Sequence, residues 1–174
     1  MAAMMLPSEW PLFRLDHATA RSGVRTGFLA AGYLSVWIAI GGVVLLADRA
    51  AGGSILGMHG ALVTAIVLAA AALYQLMPLK RRCLDVCRAP LGRVLHGWRD
   101  GHAGAFRMGV ENGAWCTGCC VGLMAALLAV GMMSVAWMAV FGVAIFVEKT
   151  TRVGILASRV AAVALAVGAV AWVI

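Results

Sequence analysis

The chain has 174 residues, 63% of them apolar and only 12% charged, with a formal net charge of +7. Ordinary globular domains are about 45–50% apolar, and runs of about twenty nearly uncharged residues recur here, more than a soluble core can bury. The basic residues sit beside those runs, where membrane orientation and anionic lipid account for them, so nucleic acid is excluded as the partner.

Taken in order, Met1 to Leu6 reads as the last turns of a span whose beginning lies upstream, stopped by Pro7-Ser8. Nothing there has the basic start, long apolar run and small-residue cleavage site of a signal peptide. Residues 7–27 are polar, with Arg14, Arg21 and Arg25 against Glu9 and Asp16, and read as a connector. The first complete span is expected at about 28–46, with Tyr33 and Trp37 among aliphatics. A glycine-rich turn holding Gly52, Gly53, Gly57 and His59 leads to a second span at about 60–79, closing on Tyr74 and Pro78. Lys80-Arg81-Arg82 then forms a charged stop, followed by Cys83 and Cys87.

Leu91, Val94, Leu95 and Trp98 recur at helical spacing, which predicts an interfacial amphipathic helix over about 91–99. From His102 to Lys149 there is no proline and hardly a charge. As one helix this stretch would measure about 70 Å, against a hydrocarbon core of about 30 Å. Two spans, about 104–130 and 132–147, turning at Gly131-Met132-Met133-Ser134, resolve the excess. A last span covers about 154–174. With five spans, thirteen of the fourteen Lys and Arg fall on one side and only Arg49 opposite; the positive-inside rule makes the basic loops cytoplasmic in a bacterial inner membrane. The expected fold class is therefore all-α: one polytopic transmembrane helix bundle with the lipid bilayer as its first partner.

Chemistry concentrates in Gly109–Met124. At about 100° per residue, Gly109, Gly113, Cys116 and Cys120 share a face, with Cys119 on its flank and Met124 nearby. The four-residue glycine spacings 109/113 and 118/122 suit close helix contacts. Cys116 lies about 18 Å from Gly104, near mid-membrane. These thiols read either as small packing residues or as soft ligands, and thiolate and thioether donors select Cu(I) ahead of Zn(II). No separated paired motif of a zinc ribbon is present. Cys83 and Cys87, one turn apart beside Arg81, Arg82 and Arg88, read as further ligands, as ordinary thiols or as acylation targets. Glu111, early in a span, is either functional or paired with Arg107 at i, i+4. Met4, Met5, Met132, Met133 and Met138 would suit a Cu(I) path, or simply fill packing gaps. No Ser-His-Asp set, phosphate-binding loop or dinucleotide fingerprint occurs, and no histidine falls within a span to hold heme.

Ala3-Met4-Met5-Leu6-Pro7-Ser8, Tyr74-Gln75-Leu76-Met77-Pro78-Leu79-Lys80 with Cys83 and Cys87, Cys116-Thr117-Gly118-Cys119-Cys120 with Leu123-Met124, Trp137-Met138 and Glu148-Lys149 together resemble a bacterial family of predicted metal-binding integral membrane proteins. The resemblance spans nearly the whole chain and implies a metal-binding membrane protein of uncharacterised function. Relatives usually carry another span before the first motif, so this chain reads as N-terminally short. Many have histidine where Asn112 stands and tryptophan where Val121 stands. The leading expectation is soft-metal binding for transport, delivery or sensing, through Cys116, Cys119, Cys120, Met124, Glu111, Cys83 and Cys87. The competing expectations are an assembly subunit of a membrane complex or homo-oligomer, and a thiol oxidoreductase using Cys116 and Cys119.

Overall fold

A computed structural model describes residues 2–53, 60–131, 134–151 and 153–173. Among them are eight α-helices and no strand: α1 (Ala2–Ala20), α2 (Gly23–Ala50), α3 (Ala61–Leu76), α4 (Pro78–Cys87), α5 (Pro90–His96), α6 (Gly101–Val130), α7 (Val135–Thr150) and α8 (Gly154–Ala171). The all-α bundle expected from the sequence is thus the observed one. By length and composition α2, α6 and α8 can each cross a membrane. The α3–α4 pair, bent by 66°, supplies a fourth crossing if taken as one span. The remaining expected span is α7, whose 16 residues extend only about 24 Å.

Helix α6 is the central element, packed against α2, α3, α4 and α7. Its two glycine pairs serve different neighbours. Gly109 and Gly113 lie against Leu29, Tyr33 and Val36 of α2, and a Cβ at Gly109 would collide with the Leu29 carbonyl. Backbones therefore approach closely along this seam, as small-residue interfaces permit. Gly118 and Gly122 face the other way, toward Cys83 and Tyr74. At its far end α6 closes on Gly131, whose φ of 121° is open to glycine. Ser134 then caps α7 by accepting from the Trp137 N–H. Met132 and Met133, half of the expected turn and of the methionine path, lie outside the described residues, as do Gly57 and His59.

The stretch around residues 7–27 differs from expectation. Instead of a helix end at Pro7 and a connector, α1 continues through Pro7 and Pro11 to Ala20. An interior proline forfeits a backbone hydrogen bond and costs about 3 kcal/mol; burial of Met5, Leu12 and Phe13 in the core offsets it. Asp16, fully buried, pairs with Arg25 at the start of α2 and accepts from Thr26 Oγ1 at 2.9 Å. The Arg25 guanidinium also lies 3.7 Å over the Trp98 ring and donates to the Arg99 carbonyl. These contacts clamp α1 and the segment before α6 to α2. Helix α5 ends at His96, short of the expected 99, and packs on α1 with Val94 buried and Leu91 and Leu95 exposed.

Pro78 occupies the first position of α4, where its missing N–H is no loss. Breaking α3 there turns α4 back onto α6. At that junction Lys80 and Glu148, 1% and 2% exposed, form an ion pair of 2.8 Å. Gln75 donates to the same carboxylate at 3.2 Å. Ser158 of α8 donates to the Gln75 carbonyl at 3.3 Å, so one polar knot joins α3, α4, α7 and α8.

Candidate metal centre

Three buried thiols converge on one side of α6. The sulfurs of Cys116, Cys119 and Cys120 all lie within 4.8 Å of one another. Helical spacing brings them together without a break, since α6 is continuous from Gly101 to Val130. Cys119 Sγ stands 3.4 Å from Cys120 Sγ and donates to the Cys116 carbonyl at 3.1 Å. No ring of separate loops is needed; one helical turn supplies the set.

Other elements close over Cys116. Tyr33 Oη of α2 meets its sulfur at 3.1 Å, and Lys149 Nζ at the end of α7 donates to it at 2.9 Å. The same ammonium donates to Glu9 Oε1 at 2.5 Å and to Ser8 Oγ at 3.3 Å. Glu9 Oε2 in turn accepts from Asn112 Nδ2 at 2.7 Å, one turn before Cys116 on α6. Buried charge is tolerable only when paired and hydrogen-bonded on all sides, and this chain of contacts meets that condition. It also places a cation directly against the Cys116 sulfur.

The remaining expected ligands divide. Cys83, buried, packs against Gly118, where a Cβ would stand 2.8 Å from its sulfur. Cys87, half-buried and one turn further along α4, lines a cleft together with Asn112 and Lys149. Met124 is buried one turn beyond Cys120. Glu111 is placed elsewhere: it is exposed and pairs with Arg99 at 3.0 Å and Arg107 at 3.4 Å. The carboxylate joined to the thiol cluster is Glu9, through Lys149. The Met4 side chain lies outside the described residues, whereas Met5 is fully buried and Met138 partly so.

Local pattern does not single out Tyr33, Glu9 or Lys149 as members of this site. The one available signal is the charge pair Glu148-Lys149 at the end of an apolar stretch, where two adjacent charges must each find a buried partner. Facing about 100° apart, Glu148 meets Lys80 and Lys149 meets Glu9 and Cys116.

The donor set is thiol-only and compact. Metal–thiolate bonds near 2.3 Å hold two sulfurs no more than about 4.6 Å apart, so these three can share an ion with little movement. Among the described residues no other group of three or more Cys, His, Asp or Glu has this convergence. The model of a family described as PpoB2, copper chaperone, matches residues 1–172. No curated protein and no solved structure matches the chain.

Proposed function

The chain belongs to the PpoB2 copper chaperone family, and from that we propose that it is a membrane-embedded carrier of copper, held as Cu(I) by Cys116, Cys119 and Cys120. The observation that carries this reading is the convergence of three buried sulfurs within 4.8 Å. Cu(I) accepts two or three sulfur ligands, and soft donors select it over Zn(II). Lys149 acts as a positioning residue. Its ammonium holds the Cys116 sulfur at 2.9 Å, and an arriving Cu(I) displaces it. Glu9 keeps the released ammonium paired, so it is never stranded in an apolar interior. Burial keeps bulk water and competing thiols from the bound ion, which a carrier requires until it meets its acceptor.

Membrane insertion is supported by three spans of sufficient length and by the many large apolar side chains exposed on α2, α3, α7 and α8, including Ile38, Leu46, Leu73, Val140 and Val163. Taking the basic side as cytoplasmic, α6 runs about 22 Å from Gly101 to Cys116 and about 21 Å on to Val130. Against a core of about 30 Å, Cys116 at the middle of α6 lies near mid-membrane when the helix is centred in the bilayer. Reporter fusions check the orientation: one after Arg99 should be cytoplasmic and one after Ile174 periplasmic. A cytoplasmic reporter at Ile174, with Arg99 confirmed inside, removes the five-span topology.

Elemental analysis of protein purified without oxygen tests the copper reading itself. About one copper per chain is expected for three sulfurs sharing one ion. A wild-type protein that never holds stoichiometric copper makes the cysteines packing residues, and the assembly-subunit reading then stands.

A further inference from the structure

The cluster sulfurs are fully enclosed, yet a carrier must load and unload. A cleft of about 190 Å³ opens beside them, between α1, α4, α6 and α7, lined by Ser8, Glu9, Cys87, Arg88, Asn112 and Lys149 among others. None of Cys116, Cys119 or Cys120 reaches its wall. Cys87 does, half-buried, one turn beyond Cys83, which seats against Gly118, the residue before Cys119. Among the described residues it is the one thiol on the cleft wall, and Lys149, which touches the Cys116 sulfur at 2.9 Å, lines the same wall.

The surrounding helix is built to hold it there. Pro78 forces the 66° bend that returns α4 to α6, and Cys83, one turn before Cys87, seats against Gly118. Arg88 follows, its guanidinium donating to the Thr151 carbonyl after α7. That bond to a neutral carbonyl leaves the positive charge of Arg88 at the cleft wall, whereas Lys149 and Glu9 neutralise each other. A cleft with this balance favours an anionic guest.

We propose that this cleft is the copper port and Cys87 its transfer thiol, receiving Cu(I) from an anionic complex with small thiols and handing it to Cys119. The inference rests on the cluster being a Cu(I) site. Transfer is ligand exchange without electron movement. The Cys87 sulfur forms a bond to copper as one small thiol leaves, carrying away the proton Cys87 releases. Cys119 then bonds to the copper and the Cys87–copper bond breaks, the Cys119 proton returning to Cys87. Attack by Cys120 expels the second small thiol, which leaves with the Cys120 proton, and completes the move. At each stage a new sulfur bond precedes the loss of an old one, so Cu(I) is never free.

The test uses the full chain in detergent without oxygen, loaded with Cu(I)–glutathione, and compares wild type with Cys87→Ser. The expected result is an unchanged final copper content reached at least about tenfold more slowly, because one low-barrier exchange step is removed. A Cys87→Ser protein that loads at the wild-type rate overturns the port. One whose final copper content falls makes Cys87 a resident ligand and overturns the transfer role. Wild type with no end-point copper is a separate result, visible before any variant, and sinks the Cu(I) reading with the port. As a second readout, a bulky charged maleimide should label Cys87 ahead of the cluster thiols, and labelled protein should load as slowly as the serine variant. Labelling of Cys116, Cys119 or Cys120 before Cys87 would place the opening elsewhere.

Discussion

Replacing Cys116 and Cys120 together with serine should abolish copper binding, taking the copper per chain from about one to less than about a tenth. The two residues are one turn apart on the same face of α6, and their loss leaves Cys119 as a single sulfur among oxygens. A hydroxyl is a hard, neutral donor at ordinary pH, and Cu(I) discriminates strongly against it. Folding should survive, because serine at Cys116 can still accept from Lys149 and still meet Tyr33. Thermal unfolding of the copper-free proteins should therefore change little while elemental analysis changes completely. Glu111→Gln is the matched control. Its side chain is exposed and paired with Arg99 and Arg107, away from the thiols, so copper content should be that of wild type. Full copper in the double serine variant would remove the cluster from the site; lost copper in Glu111→Gln would bring that carboxylate into it.

The second large effect is one of stability. Glu148→Ala strands the Lys80 ammonium at a place where it is 1% exposed, and deprives Gln75 of its acceptor. Removing one partner of a buried pair costs about 3–5 kcal/mol, which for a chain of this size lowers the melting temperature by roughly 10 °C or more. The double variant Lys80→Met with Glu148→Gln should recover most of the loss, since no charge remains buried and Gln75 keeps a polar partner. Glu148 belongs to the knot between α3, α4, α7 and α8 and touches none of the thiols, so the folded fraction of Glu148→Ala should bind copper normally. Melting of the single variant within about 2 °C of wild type, less than the shift expected for 1 kcal/mol, would show that the pair contributes little.

Much of the architecture is legible along the chain because it depends on near neighbours. An apolar run of some twenty residues has to become a helix when no water can satisfy its backbone, and α2, α6 and α8 are of this kind. The convergence of Cys116, Cys119 and Cys120 is equally local, since residues three and four apart share a helix face whatever surrounds them. The end of α6 at Gly131 likewise follows from one residue's conformational freedom.

Tertiary packing decided the rest. Pro7 and Pro11 argue locally for a break, yet α1 continues because burial of Met5, Leu12 and Phe13 outweighs the lost backbone bonds. Cys83 and Cys87 meet α6 only through the direction of the bend at Pro78, which depends on what α4 packs against. The groups that close over Cys116 come from far along the chain: Tyr33 from 83 positions away and Lys149 from 33, with Glu9 a further 140 from Lys149. Sequence periodicity reports which face of a helix is apolar, but not which charge on another helix will be buried against it. A buried ammonium finds its carboxylate and its sulfur by long-range assembly, because leaving it unpaired would cost more than the chain entropy of bringing α1, α6 and α7 together. The three thiols are thus a property of one helical turn, whereas their charge balance and the cleft beside them belong to the folded bundle.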